Sequence, residues 1–247
     1  MTLTVIIPVY NEEATIATVI ERVLALRQPN GPVGEIIVVD DASTDGTSAI
    51  LSPFVEQGLI RLVRHPRNRG KGAAIRNGIA AATGTYTIFQ DADLEYEPAD
   101  IPMLWCKALE GAAVVYGSRF VTGNTGATSF HAIANRFLSF LARCMTGMPI
   151  TDMETCYKLV RTDVLKRLNL REERFGIEPE ITVKIALLGC HEELRYAEVP
   201  ITYRPRGYSE GKKIGFGDGV KAIYCLIRYR IEGLVSRSSY LKDTTLQ

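Results

Sequence analysis

The chain predicts an α/β architecture with a mostly parallel sheet flanked by helices, on three observations. Strand-like apolar runs alternate with helix-period segments through the first half, the pattern of repeated βα units. The polar clusters fall at the carboxyl ends of those runs, where open α/β sheets bind ligands. And 247 residues with 46% hydrophobic and 23% charged side chains have the balance of an ordinary soluble domain.

The elements follow in order. Thr4 to Val9 is a β-branched run, and Ile16, Ile20, Val23 and Leu24 then recur at helical spacing. Glu35 to Asp40 is a second buried-type strand, closed by the turn-like Asp41-Ala42-Ser43-Thr44-Asp45-Gly46. Leu59 to Arg64 is a third strand, Lys71 to Ala82 a helix ended by Gly84, and Tyr86 to Gln90 a fourth strand. Pro98 to Leu109 suits a helix with proline in its first turn, before a strand from Ala113 to Tyr116. The second half is less regular. Helices are expected over Phe130 to Met145, Thr162 to Leu168, Glu178 to Leu188 and Val220 to Val235, with strands over Met153 to Val160 and Leu194 to Tyr203. Arg206 to Gly219 is a Gly/Lys-rich loop. Without repeats or linkers, residues 1–235 read as one domain, and 236–247 as a polar, frayed tail.

Composition removes several classes. Twenty-nine basic against 28 acidic residues give a net charge of +1, without the basic stripe of a nucleic-acid binder. No stretch approaches the roughly 18 apolar residues that span a bilayer. The opening Met1-Thr2-Leu3-Thr4-Val5 lacks a basic region and a small-residue cleavage site, so a first strand is expected there, not a signal peptide. Five dispersed cysteines contain no CxxC pair, and the expectation is reduced, mostly buried thiols. Neither GxGxxG nor a Walker loop occurs; Arg69-Gly70-Lys71-Gly72 lacks the required spacing.

The most informative segment is Gln90-Asp91-Ala92-Asp93-Leu94-Glu95, directly after a buried strand. Residues two apart project to one side of an extended backbone, so Asp91, Asp93 and Glu95 can converge. Carboxylates that close repel unless a cation sits between them, and Mg2+ or Mn2+ with phosphate co-ligands fits. A solvated acidic turn is the bland alternative, and the strand-end position weighs against it.

VIIPVYNEE, VVDDASTDGT, NRGKGAAIRNG, DADLEYEP, YGSRF, DMETCYK and EGKKI occur in the order seen in family 2 glycosyltransferases. Over nearly its whole length the chain resembles that family, and within it the branch of dolichyl-phosphate mannose and glucose synthases. The resemblance implies a GT-A fold, a nucleotide-diphosphate sugar donor, a divalent metal (Mg2+ or Mn2+) and inversion at the anomeric carbon. It implies that Pro8, Tyr10 and Glu12 lie around the donor base and ribose and that Asp41 contacts the nucleoside. Asp91, Ala92 and Asp93 correspond to the metal and diphosphate motif, with Glu95 where related synthases often carry glutamine. Arg119, with Ser118, corresponds to the group facing the acceptor phosphate. Arg204 or Arg206, with Ser209, Lys212 and Lys213, corresponds to a basic loop over the diphosphate.

The chemistry agrees with those assignments. Breaking the anomeric bond builds negative charge on the leaving diphosphate, which a metal on Asp91 and Asp93 and cations from the late loop would stabilise. Arg119 offers a planar fork suited to phosphate. A phosphate acceptor is already substantially dianionic near pH 7 and needs little help from a base. Asp152 is therefore expected to position the acceptor or Arg119, with service as the carboxylate base that sugar-hydroxyl acceptors need as the alternative.

The expected activity is transfer of a hexose from a UDP-glucose-type donor or GDP-mannose to a polyprenyl phosphate. The rivals are a same-fold enzyme acting on a soluble saccharide, a nucleotidyltransferase, and a non-catalytic nucleotide-sugar binder. The intact carboxylate set argues against the last. Phe130, Ile133, Phe137, Leu138, Leu141, Cys144 and Met145 form an apolar stripe flanked by Arg136 and Arg143. The stripe suits either a core face or a helix at the bilayer interface, and related synthases use an amphipathic segment in this region that way. Ile223, Leu226, Ile227 and Ile231 make the last helix a second candidate. A peripheral position at the cytoplasmic face of the membrane is the matching location, with self-association into a homo-oligomer left open.

Overall fold

β1 (Leu3–Val9), β2 (Val33–Asp40), β3 (Arg61–Arg64), β4 (Tyr86–Phe89), β5 (Val114–Ser118), β6 (Lys158–Arg161) and β7 (Tyr196–Pro200) form one sheet in the order β3-β2-β1-β4-β6-β5-β7. This computed structural model describes residues 1–27, 31–121, 130–205 and 216–244, with backbone alone at 130–131, 216, 234 and 236–244. β6 runs antiparallel to both its neighbours, and the other pairings are parallel. β1 lies between β2 and β4, and its Val5, Ile6 and Ile7 are fully buried. That is why these central strands read as continuous apolar runs instead of alternating ones.

The flanking helices are α1 (Ile16–Leu24), α2 (Thr47–Glu56), α3 (Lys71–Ala81), α4 (Ile101–Leu109), α5 (Phe130–Thr146), α6 (Thr162–Arg167), α7 (Ile177–Gly189) and α8 (Phe216–Thr244). α3 packs against β1 and β2, while α5, α7 and α8 pack on one another.

Three expectations about the elements change. α2 has no counterpart in the sequence reading, because Pro53 interrupts its helical signature. The strand expected from Met153 begins at Lys158. Upstream, side chains take the backbone N–H groups that a ladder would need: Met153 donates to Ser139 Oγ, Cys156 to Tyr96 Oη and Tyr157 to Thr155 Oγ1. The segment read as a tail from 236 instead continues α8 to Thr244, since backbone bonding can extend a helix through polar residues.

Three non-glycine residues just beyond strand ends adopt positive φ: Asn11 at 53°, Ala42 at 62° and Leu94 at 61°. Left-handed backbone costs alanine and leucine about 1–2 kcal/mol each, and such strain collects at functional sites. All three lie on the same edge of the sheet, after β1, β2 and β4. That edge carries the cavity.

Candidate active site

A cavity of about 550 Å3 opens beyond the carboxyl ends of β1, β2 and β4. The volume falls within the range of small-molecule sites. Pro8, Tyr10, Glu12, Asp41, Asp91, Ala92, Asp93, Glu95 and Arg119 all line it, so four separate sequence segments meet there.

The β1 end is latched to the loop after β2. Asn11 Oδ1 accepts from the Thr44 N–H at 2.8 Å, and the Glu12 N–H donates to Thr47 Oγ1 at 3.0 Å. The Thr15 hydroxyl, 2.7 Å from the Ala92 carbonyl oxygen, ties the start of α1 to the loop after β4. Asp41 is 3% exposed and held on three sides. Its Oδ1 lies 2.6 Å from His65 Nδ1 and accepts the Arg69 N–H at 2.8 Å, and its Oδ2 accepts the Gly70 N–H at 2.7 Å.

Glycine is required in that turn. Gly70 has φ of +94°, and a Cβ there would stand 2.5 Å from the Glu173 carbonyl oxygen. A Cβ on Gly72 would collide with the Glu172 carbonyl oxygen. The close approach brings α3 against the 172–174 backbone and carries Lys71 into the cavity.

Lys71 alters the expected metal cluster. Its Nζ lies 2.8 Å from Asp91 Oδ1 and 3.0 Å from Glu178 Oε1. Burial works against its charge, yet Asp91 and Glu178 outweigh burial and hold the ammonium well above the ordinary lysine value. Asp93 Oδ1 accepts the Glu95 N–H at 3.1 Å, and Glu95 Oε2 accepts the Tyr203 hydroxyl at 2.9 Å. Among the described residues no group of three His, Cys, Asp or Glu side chains is gathered to hold a metal. The convergence expected of Asp91, Asp93 and Glu95 is thus not formed, because Leu94 breaks the extended alternation and Tyr203 takes Glu95. Asp91 and Asp93 still fit Mg2+ or Mn2+, which bind through one or two carboxylates with phosphates and waters as the other ligands.

Arg119 and Asp152 make a buried, two-pronged pair: Nε to Oδ2 at 2.7 Å and Nη2 to Oδ1 at 2.8 Å. The Arg119 N–H also donates to Oδ2, at 3.0 Å. Burial opposes the charge on Arg119, and Asp152 prevails, raising its pKa well beyond the ordinary arginine value. The guanidinium lies 5.0 Å from the centre of the Tyr203 ring. Asp152 itself is fully buried, behind the cavity wall.

The remaining expected residues lie elsewhere. Ser118 is fully buried, and its hydroxyl is 2.7 Å from Thr151 Oγ1 and accepts the Phe120 N–H, so it braces the turn and does not line the cavity. Arg204 is exposed and not part of the lining; its N–H donates to the Glu95 carbonyl at 2.9 Å. Arg206, Ser209, Lys212 and Lys213 lie outside the described residues.

Lys71, Glu154 and Glu178 also line the cavity. Burial first, then Glu178, push the Glu154 carboxyl up to about 7, against the pull of Lys158 and Arg119. One oxygen of Glu154 and one of Glu178 are buried without a hydrogen-bond partner among the described residues. Sequence reasoning passed over Lys71 and Glu178. The available signals were a lysine inside a Gly-x-Gly turn and a glutamate in the first turn of a helix, both of which have ordinary structural explanations.

Residues 4–168 match the family described as glycosyl transferase family 2. An undecaprenyl-phosphate 4-deoxy-4-formamido-L-arabinose transferase of Enterobacter sp. (strain 638) is 31% identical over 210 residues, covering 84% of this chain and 61% of the relative. The protein of that name from Pectobacterium carotovorum subsp. carotovorum (strain PC1) is 32% identical over 197 residues, covering 78% of this chain and 59% of the relative. The chain therefore spans about three-fifths of the length of these curated relatives. Among solved structures, glucosyl-3-phosphoglycerate synthase from Mycobacterium tuberculosis with Mn2+, UDP and glucosyl-3-phosphoglycerate superposes with a TM-score of 0.66 at 23% identity, over 92% of this chain and 79% of that one. The same enzyme with Mg2+ and UDP gives a TM-score of 0.63 at 23% identity, over 92% and 79%. These likenesses establish the GT-A fold.

Proposed function

Because the chain belongs to glycosyl transferase family 2, we propose that its cavity transfers a hexose, with inversion, from a nucleotide-diphosphate sugar to a polyprenyl phosphate. The observation that carries this reading is the Arg119–Asp152 pair. Both oxygens of Asp152 are committed to Arg119 and the residue is fully buried, so it has no means of taking a proton from an acceptor. An acceptor that arrives as an anion needs no base; it needs a fixed cation, and Arg119 is one. The relatives' names, which specify undecaprenyl phosphate, support the same acceptor class.

Each residue then has a task. Pro8, Tyr10, Glu12 and Asp41 hold the nucleoside of a UDP-glucose-type donor or GDP-mannose. Asp91 and Asp93 would hold Mg2+ or Mn2+ against the diphosphate, and the neighbours crystallised with Mn2+ or Mg2+ and UDP support that choice. When bound, such an ion offsets the charge that grows on the leaving diphosphate. Lys71 fixes the Asp91 carboxylate and adds a second positive charge on that side. Arg119, oriented by Asp152, directs the acceptor phosphate toward the anomeric carbon. Arg204 or Arg206, with Lys212 and Lys213, supplies the further cations proposed for the diphosphate. A lipid acceptor requires access to a membrane surface, and a peripheral position on its cytoplasmic face is the location proposed.

Glu154 supports a second reading. A cavity carboxyl titrating near 7 has the pKa of a general base, which a sugar hydroxyl acceptor would need. Release of nucleoside diphosphate separates the two. With Mg2+ and each nucleotide sugar, release should depend on added polyprenyl phosphate. Dependence on a soluble saccharide, or equal release with the unphosphorylated polyprenol, overturns the proposal.

A further inference from the structure

Asp41 belongs to a relay that extends beyond the cavity. His65 is 6% exposed and sits between Asp41 and α3, its Nδ1 2.6 Å from Asp41 Oδ1 and its Nε2 2.7 Å from Asn77 Nδ2. A carboxylate only accepts, so Nδ1 carries the proton, and Nε2 accepts from the Asn77 amide. The ring is held from both ends.

This arrangement leaves little of Asp41 for a ligand. A carboxylate has about four lone-pair positions. His65 and the Arg69 N–H fill both on Oδ1, and the Gly70 N–H fills one on Oδ2. One remains, on a side chain that lines the cavity. Uracil presents a single imide N–H between two carbonyl oxygens. Guanine presents an imide N–H and an exocyclic amine side by side, and two acceptors are needed to satisfy them. With one acceptor, the second guanine donor would lose its water and gain no partner, which is the costly outcome for a buried polar group.

We propose that the Asn77–His65 relay, by leaving Asp41 one acceptor position, selects a donor whose base has a single imide N–H, the uridine class, against guanosine. This rests on the donor-site reading above. His65 and Asn77 act through Asp41 and are positioning residues.

Calorimetric titration of the whole chain with UDP and with GDP, each with Mg2+, tests it. UDP should bind about tenfold tighter or more, the scale of one hydrogen bond to a charged group. Asp41→Ala should bring the two affinities together while both nucleotides still bind through their diphosphates. His65→Ala should narrow the UDP/GDP ratio, and His65→Gln, which keeps a side-chain N–H donor, should restore it. A purely structural role would weaken both nucleotides equally and leave the ratio alone. GDP binding as tightly as UDP to the unaltered chain, or a ratio unmoved by Asp41→Ala, overturns the selection while leaving the donor site standing. If neither nucleotide binds, the donor site itself is refuted, and the selection with it. Should His65→Ala fail to fold, the unaltered chain and Asp41→Ala decide the matter between them.

Discussion

Both oxygens of Asp152 are bound to a buried guanidinium, so the two residues should behave as a unit. Asp152→Ala leaves a buried charge without its partner, and breaking such pairs typically costs about 3–5 kcal/mol of stability. Arg119→Lys keeps the charge and loses the fork. Acceptor kcat/KM should therefore fall at least tenfold, with the KM for the donor unchanged; a loss of donor affinity instead would reassign the arginine. Asp91→Ala or Asp93→Ala should lower transfer about 100-fold or more, the scale of losing one strong electrostatic stabiliser, while thermal melting shows a folded protein. Glu154 gives a pH test. Its pKa rises from an ordinary 4.5 to about 7 on folding, so between those values the folded state binds more protons than the unfolded one. Stability should fall as pH rises through that window. Glu154→Gln should flatten the fall, read as melting temperatures from about pH 5 to about pH 8; identical profiles would show that Glu154 titrates normally. Asp91 and Asp93 were legible because they directly follow a strand. Lys71 and Glu178 were not, since Lys71 reaches Asp91 from α3 and Glu178 meets Lys71 from α7, and one sequence does not announce which helices will meet.

Among the elements, α5 combines two faces that the sequence merged into one stripe. Leu138 and Ala142 turn inward, while Ile133, Phe137 and Phe140 are exposed by 59%, 57% and 55%. Helical spacing identified an apolar surface but not its division, because packing against α7 and α8 decides which flank is covered. Val220, Tyr224, Ile227, Ile231 and Val235 form a second exposed row on α8. Asn135, also on α5, lines the cavity, which sets this helix at the site. Among the described residues no helix is long and apolar enough to cross a membrane. An exposed apolar face with Arg136 and Arg143 on the same helix suits reversible attachment to anionic lipid. Phe137→Ser with Phe140→Ser should reduce co-sedimentation with anionic vesicles and leave the circular-dichroism spectrum intact. Leu138→Ser should instead destabilise the fold by about 2–5 kcal/mol, as buried leucine truncations do. If the unaltered chain does not sediment with vesicles, the interfacial role of α5 is wrong.

At the scale of the whole molecule, the parallel strands and the ligand edge of the sheet were readable because buried strands are continuous in apolar character and their ends are polar. The direction and start of β6 and the full length of α8 were not. β6 is shortened by side chains that capture its upstream N–H groups, and α8 runs on through polar residues. The fold sets Pro8 on β1, Tyr10 and Glu12 just after it, Asp41 after β2, Asp91 and Asp93 after β4 and Arg119 after β5, around one cavity. The reaction proposed above would join a donor sugar to an anionic acceptor between those walls. The most direct measurement is the mass of the lipid product after incubation with nucleotide sugar, Mg2+ and undecaprenyl phosphate. The predicted result is a polyprenyl phosphate heavier by one sugar residue, formed by the unaltered chain and lost with Asp91→Ala. Unmodified lipid phosphate, alongside a glycosylated soluble acceptor in the same assay, would contradict it.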